Sequence, residues 1–262
     1  SQFELDWDKV RDEITLFIQT TVDASHAKGC VIGMSGGVDS SLVAGLLTLA
    51  LGKAKVLGVM MPAQFTPKTD LEDAQALADQ LQIRSVLVPI QPIADSFAKA
   101  LAIPKDSQKA RIPLANILAR ARMTTLYYYA NLHNYLVAGT GDRSEDLIGY
   151  FTKYGDGGVD FRPISHLYKT QVRELARHLQ IPLNIVTKPS SPQLYPGHRA
   201  TDEIPVDYDR LDKILRLLFD EGRAASEVAR TEGVSQRIVE DVLSRYRVSA
   251  HKRSYPTMVR PW

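Results

Sequence analysis

A short apolar run that breaks at two adjacent glycines and resumes as a second apolar run constrains this chain more than any other feature. Gly29-Cys30-Val31-Ile32-Gly33-Met34 predicts a buried strand, and Leu42 to about Leu51 predicts an apolar helix that Gly52 stops. Between them lies Ser35-Gly36-Gly37-Val38-Asp39-Ser40-Ser41. Adjacent glycines reach backbone conformations closed to other residues and let N–H groups approach an anion. The helix that follows adds the positive end of its dipole, and Ser35, Ser40 and Ser41 add hydroxyl donors. Asp39 is out of place in an anion cradle, because a bare carboxylate repels phosphate. It makes sense if it holds a divalent cation that bridges to phosphate oxygens. The bland alternative is a tight turn with a capping Ser or Asp, but the strand–loop–helix context favours the phosphate reading. The loop is neither GxGxxG nor a Walker loop, since Gly-Lys-Ser/Thr is absent from it.

The alternation continues along the chain. Val56 to Met61 predicts a strand, Asp70 a cap for a helix through Leu81, and Ser85 to Ile90 another strand. Leu114 to Leu132 predicts a long helix and Tyr135 to Gly139 a fourth strand. An amphipathic helix precedes them all, with Leu5, Trp7, Val10, Ile14, Phe17 and Ile18 at near-helical spacing. This order implies an α/β fold, a Rossmann-like parallel sheet flanked by helices on both faces. Ligands of such sheets sit beyond the carboxyl ends of the strands, which directs attention to residues 35–41 and to Thr140 through Glu145. From Tyr154 to about Tyr208 the chain is richer in Gly and Pro, and residues 189–202 read as a loop over a site. Beyond Asp207 it reads as helical and charge-balanced, and with no repeat or linker in view, 1–262 is taken as one domain.

Composition narrows the function classes. Apolar residues make up 44% and charged residues 24%, the balance of a soluble globular protein, and 262 residues can bury a core without staples. The single cysteine, Cys30, excludes an intrachain disulfide and a multi-thiolate zinc site; in a buried strand it reads as structural rather than catalytic. A net charge of +2 gives no bulk reason to expect nucleic acid or a membrane as partner. The longest apolar runs fall far short of a bilayer span. Ser1 to Thr20, amphipathic and acid-containing, reads as a helix rather than a leader, so the expected compartment is the cytoplasm.

The second constellation is Gly139-Thr140-Gly141-Asp142-Arg143-Ser144-Glu145, followed by Gly149-Tyr150-Phe151-Thr152-Lys153-Tyr154-Gly155-Asp156. Glycine and threonine at a strand end suit close contact with a nucleotide. Glu145 either supplies a second carboxylate to the cation held by Asp39 or belongs to a capped first turn with Ser144; spacing alone leaves both open.

The loop at Ser35 resembles the SGGxDS signature of the N-type ATP pyrophosphatases, the PP-loop group with the adenine nucleotide alpha hydrolase-like fold. The second constellation is similar to that of the ammonia-dependent NAD synthetases. Three further blocks fit in the same order: Asn116-Ile117-Leu118-Ala119-Arg120, Pro163 to Leu179 with Lys169, Val172 and Leu175, and His251-Lys252-Arg253. The likeness spans Val31 to Arg253. Two stretches depart from the pattern, Pro192 in the loop and Ile204-Pro205-Val206 after Asp202-Glu203.

The resemblance implies a carbon–nitrogen ligase that converts deamido-NAD, ATP and ammonia into NAD, AMP and pyrophosphate through an acyl adenylate. It implies ATP contacts at Gly33, Met34, Ser35, Gly36, Gly37, Val38, Asp39, Ser40, Thr140, Lys169 and Ser191, with Mg²⁺ held by Asp39 and Glu145. Asp39, Lys169 and Glu145 are the expected catalytic residues, and Arg120, Lys153, Asp160, His251 and Lys252 the expected deamido-NAD contacts. A homodimer is implied as well. Without the resemblance, Lys169 would read as a solvated helix charge. A cysteine-based glutaminase would need another domain of roughly 100 residues, so free ammonia is the expected nitrogen donor. Of the rival readings, a thiolating relative is opposed by the lone Cys30, and GMP or asparagine synthetases by the Tyr-Phe-Thr-Lys-Tyr-Gly-Asp block. Ala225 to Val239 reads like a DNA-binding helix-turn-helix, but Glu240 and Asp241 on the second helix oppose phosphate. A nucleotide sensor without turnover has less need of both Asp39 and Glu145.

Overall fold

The computed structural model describes residues 5–103, 108–191, 200, 203–256 and 258–259. Asp6 caps the first helix, α1 (Trp7–Ala24), by accepting the Lys9 N–H at 3.1 Å. One face of α1 buries Ile14, Ile18 and Val22, the stripe that the near-helical spacing predicts.

The sheet contains β1 (Cys30–Gly33), β2 (Val56–Met60), β3 (Arg84–Leu87) and β4 (Leu136–Val137), all parallel, in the order β3-β2-β1-β4. Successive strand residues face opposite sides, and the two cores show it. Cys30, Ile32, Val56 and Met60 pack with α1 and α2 (Val38–Leu51) on one face. Val31, Leu57 and Val59 pack on the other with Ala94 of α4 (Gln91–Ala100) and with Leu118 and Ala130 of α5 (Arg111–His133). The run Leu42 to Leu47 is buried all round, so α2 is a central helix rather than a surface one.

Several boundaries differ from the sequence reading for local reasons. Helix α2 begins at Val38 rather than Leu42, because Gly37 is already extended and serves as its N-cap; this puts Asp39, Ser40 and Ser41 in the first turn. Helix α3 (Lys68–Leu81) starts after Pro67, and Asp70 is not its cap: its carboxylate is drawn to Lys188 instead. Strand β3 ends at Leu87, and β4 is two residues long, extended only by a parallel bridge from Ala138 to Phe161.

The chain leaves β1 for β2 and β3 on one side and returns to β4 on the other. The order therefore reverses at β1, and a crevice opens where the connections part. The loop after β1 and the loop after β4 flank it. Short α6 (Arg143–Ile148) follows, capped by Asp142, whose side chain accepts the Glu145 N–H at 2.8 Å. Then come α7 (Lys169–His178) and α8 (Leu183–Val186) in the Gly/Pro-richer stretch. Of the predicted loop 189–202, only 189–191 and 200 lie within the described residues. The last three helices, α9 (Tyr208–Phe219), α10 (Ala225–Glu232) and α11 (Gln236–Val248), form a second core around Leu211, Ile214, Leu215, Val228, Val239 and Val242. The resemblance to a helix-turn-helix is explained by this packing: α10 ends at Gly233 with φ +61°, and both helices bury their apolar residues in this core.

Candidate active site

A cavity of about 640 Å³ occupies the crevice. The loop after β1 forms one wall. Ser35 N–H donates to Ser40 Oγ at 3.3 Å, Gly37 N–H donates to Ser35 Oγ at 3.3 Å, and the two hydroxyl oxygens are 3.1 Å apart. Ser40 Oγ also donates to the Gly37 carbonyl at 3.1 Å, so the loop is knitted by its own hydroxyls at the start of α2. A Cβ on Gly36, whose φ is +76°, would overlap the Asp70 carbonyl; no other residue fits there.

Behind this wall sits Lys169, the first residue of α7 and completely buried. Its Nζ donates to Asp39 Oδ1 at 2.8 Å and to Glu145 Oε1 at 2.9 Å, and Asp142 Oδ2 lies 2.8 Å away as an ion pair. Burial works against the ammonium, and Asp142, Asp39 and Glu145 more than reverse it, holding its pKa well above the ordinary lysine value. Burial raises the carboxyls of Asp142 and Glu145, the latter to about 8; Lys169 opposes the rise, and the neighbouring carboxylates add to it. Three carboxylates meet one ammonium, and Asp39 and Glu145 both line the cavity. Acidic groups therefore outnumber the base beside the space where a ligand would lie.

A second tier holds this cluster in place. Asp212 of α9 is buried; its Oδ1 accepts the Ser144 hydroxyl at 2.5 Å and its Oδ2 accepts the Thr170 N–H at 2.8 Å. Ser144 Oγ in turn accepts the Lys169 N–H at 2.9 Å. The first N–H groups of α7, orphans by helix geometry, are thus satisfied by α6 and α9. Burial pushes the Asp212 carboxyl up to about 6.

Of the residues expected from sequence, Gly33, Met34, Ser35, Asp39, Ser40, Thr140, Glu145, Ser191 and Lys252 line the cavity. Gly36, Gly37 and Val38 complete the loop behind them, and Lys169 braces it from within rather than standing as a solvated charge. The expected deamido-NAD residues divide. Lys252 faces the cavity and donates to the Gly149 and Phe151 carbonyls at 2.8 Å. Arg120 donates to the Lys153 carbonyl at 3.3 Å, and Lys153 Nζ to the His251 carbonyl at 2.7 Å, a chain across the surface. Arg120 lines a second, apolar cavity of about 440 Å³ between α4 and α5. Asp160 pins the sheet edge, accepting the Val137 N–H at 2.7 Å and the Tyr127 hydroxyl at 3.0 Å.

Reasoning from sequence missed other wall residues. Asn116 accepts the Thr152 hydroxyl at 2.7 Å, and the Thr152 N–H donates to Asp156 at 2.8 Å. Asp156 is recessed in the cavity wall, and this enclosure raises its carboxyl. Arg122 also lines the cavity, its pKa lowered by burial to about 10 and so still cationic at neutral pH. Arg122 stands two residues after Arg120 in the same helix and so on a different face, toward the main cavity rather than the second one. Cys30 is buried, and desolvation pushes its thiol up to about 12, which leaves it inert. Among the described residues, no helix is long and apolar enough to cross a membrane.

A family model for NAD synthase matches residues 10–256. The NH(3)-dependent NAD(+) synthetase of Hyperthermus butylicus is 48% identical over 259 residues, 98% of this chain and 92% of that protein. The structure of NMN synthetase from Francisella tularensis superimposes with a TM-score of 0.85 at 30% identity, over 98% of this chain and 99% of that one. An NH3-dependent NAD synthetase from Campylobacter jejuni, solved with a nitrate ion, gives a TM-score of 0.82 at 33% identity, over 98% and 100% of the two chains.

Proposed function

The chain belongs to the NAD synthase family, and from that premise we propose that it amidates deamido-NAD with ammonia at the expense of ATP, yielding NAD, AMP and pyrophosphate. The observation that carries this reading is the convergence of the phosphate loop, Thr140 and the Asp39–Glu145–Lys169 cluster on one cavity.

The chemical problem is that a carboxylate is a poor electrophile. In the proposed reaction a nicotinate carboxylate oxygen attacks the α-phosphorus, the bond to the bridging oxygen breaks, and pyrophosphate leaves. Ammonia then adds to the acyl carbon, gives up a proton, and expels AMP. The protein's contribution to such transfers is mostly positioning and electrostatic stabilisation. Ser35, Ser40 and Thr140 offer hydroxyls and the start of α2 offers its N–H groups to the phosphates. Lys169 keeps Asp39 and Glu145 oriented toward them. We assign proton acceptance to Asp156, because it is a carboxylate recessed in the cavity with a raised pKa. Arg122 and Lys252 are cations on the same wall and suit the anionic dinucleotide.

A divalent cation fits this donor set. Asp39 and Glu145 are hard oxygen ligands that open on the cavity, and the three acids around the single Lys169 leave carboxyl oxygens for a cation there. Mg²⁺ bound at these two carboxylates would neutralise charge on the phosphates. We further assign self-association to the face of α4 and α5, where Phe97 and Tyr128 are 50% and 62% exposed beside the second cavity and Arg120. ATP and pyridine nucleotides are metabolites of the cytoplasm, which supports a cytoplasmic setting.

The test is a coupled assay with ATP, Mg²⁺, deamido-NAD and ammonium that follows NAD and pyrophosphate together. One-for-one formation with ammonium and none with glutamine is the expected result. Because the Francisella tularensis relative is an NMN synthetase, nicotinate mononucleotide is run beside deamido-NAD. A higher kcat/KM with the mononucleotide would replace the substrate, and absence of ATP cleavage with either would end the reading.

A further inference from the structure

Lys188 enters none of these steps, and it does not line the cavity. It follows α8 and stands two residues before Ser190, which does line it. Its Nζ donates to Asp73 Oδ2 at 2.6 Å, to Asp70 Oδ1 at 2.7 Å and to the Gly36 carbonyl at 3.1 Å. An ammonium has three N–H donors, and these three acceptors take them all. Lys188 is therefore not offered to a phosphate.

What it holds is a peptide plane. In a trans peptide the carbonyl and the following N–H point in opposite directions. With the Gly36 carbonyl turned to Lys188, the Gly37 N–H faces the other way, where it meets Ser35 Oγ beside Ser40 Oγ. Glycine alone offers little resistance to turning this peptide over, since both hands of φ are open to it. Turned over, it would present a carbonyl oxygen, an acceptor, to the place where phosphate oxygens need donors. The phosphate loop also lies directly on the first turn of α3, where a side chain on Gly36 would collide with the Asp70 carbonyl. One ammonium thus ties the loop, α3 and the segment after α8 together.

We propose that Lys188 is a positioning residue that fixes the Gly36–Gly37 peptide with its N–H toward the triphosphate and its carbonyl away from it. The proposal rests on reading the cavity as the ATP site. Lys188 is 22% exposed, so its replacement leaves no fully buried charge behind.

The experiment compares wild type, Lys188→Met, Lys188→Arg and Asp73→Asn. Binding of the non-cleavable analogue α,β-methylene-ATP with Mg²⁺ is measured by calorimetry, alongside KM for ATP, KM for deamido-NAD, kcat and thermal unfolding. Lys188→Met is expected to weaken analogue binding and raise KM for ATP about tenfold or more, with KM for deamido-NAD within about twofold. Lys188→Arg, which keeps a cation and several donors, recovers most of the affinity. A folded Lys188→Met with unchanged analogue affinity overturns the proposal, as does an equal loss for both substrates. Should Lys188→Met fail to fold, Asp73→Asn decides: it neutralises one of the two charged anchors of Lys188, a weakening of about threefold is expected, and no change overturns. Wild type that binds the analogue but makes no NAD refutes the reaction and leaves Lys188 its role. Wild type that binds no analogue refutes both.

Discussion

Two lysines organise opposite sides of the same glycine loop, and they differ in how their charge is met. Lys169 is fully enclosed and faces Asp39, Asp142 and Glu145, with two of those carboxylates opening on the cavity. Lys188 is part-exposed and is met by two aspartates and a carbonyl, away from the cavity. In the first region the acids outnumber the base where a ligand would sit, and burial raises the Glu145 pKa to about 8. In the second, every donor is spent on the protein itself. The difference separates an acid-rich cluster that opens on the cavity from a brace whose donors are all met within the protein.

The sharpest way to break this comparison is Lys169→Met. It leaves three carboxylates facing one another in a buried place, and losing one partner of a buried ion pair costs about 3–5 kcal/mol. NAD formation should vanish and urea denaturation should show a loss of that order. Full stability would mean that the cluster is not the brace described here.

Next in size is Glu145→Gln, which removes a carboxyl that can ionise to meet a cation and keeps the shape. Activity should fall by about 100-fold or more, while stability stays within about 1 kcal/mol. In the wild type, Glu145 holds a proton below about 8, so binding Mg²⁺ releases it and tightens as pH rises toward that value. Calorimetry in two buffers of different ionisation enthalpy reads the proton; equal heats in both would show that Glu145 is not displaced.

The smallest effect concerns the tier that holds Lys169. Asp212 is raised from 3.8 to about 6, so the native state keeps its proton where the unfolded chain has lost it. Its contribution is fully present below about 3.8 and is lost as pH rises through about 6. The loss is up to about 3 kcal/mol, at 1.36 kcal/mol per unit. Asp212→Asn should flatten the stability-versus-pH curve between pH 4 and 6, measured by denaturant midpoints. An unchanged slope would assign that titration elsewhere.

Much of this architecture is legible in the chain. The apolar run ending in Gly33, the glycine pair and the apolar helix after it suffice to place a strand, a tight glycine loop and a helix, because strand period, glycine freedom and helix capping are local properties. The stripe of α1 and the stop of α2 at Gly52 follow from the same local rules. Asp70 shows where they end. As a residue near a helix start it reads as a cap, yet a lysine 118 positions later claims its carboxylate. Lys169 misleads in the other direction: by composition it belongs in water, and only the stacking of α2, α6 and α7 supplies the carboxylates that make its burial tolerable.

By itself, then, the sequence determined the alternating α/β order, the glycine loop between β1 and α2 and the residue types gathered near it, since each rests on contacts within a few residues. Only the tertiary structure decided which carboxylates meet which ammonium, that Asp212 locks Ser144 to the start of α7, and that Lys188 turns the Gly36 carbonyl away from the cavity. Those pairings join residues 24 to 152 positions apart. An ion pair or hydrogen bond is decided at about 3 Å, a distance that the order of strands and helices creates and that spacing along the chain does not encode.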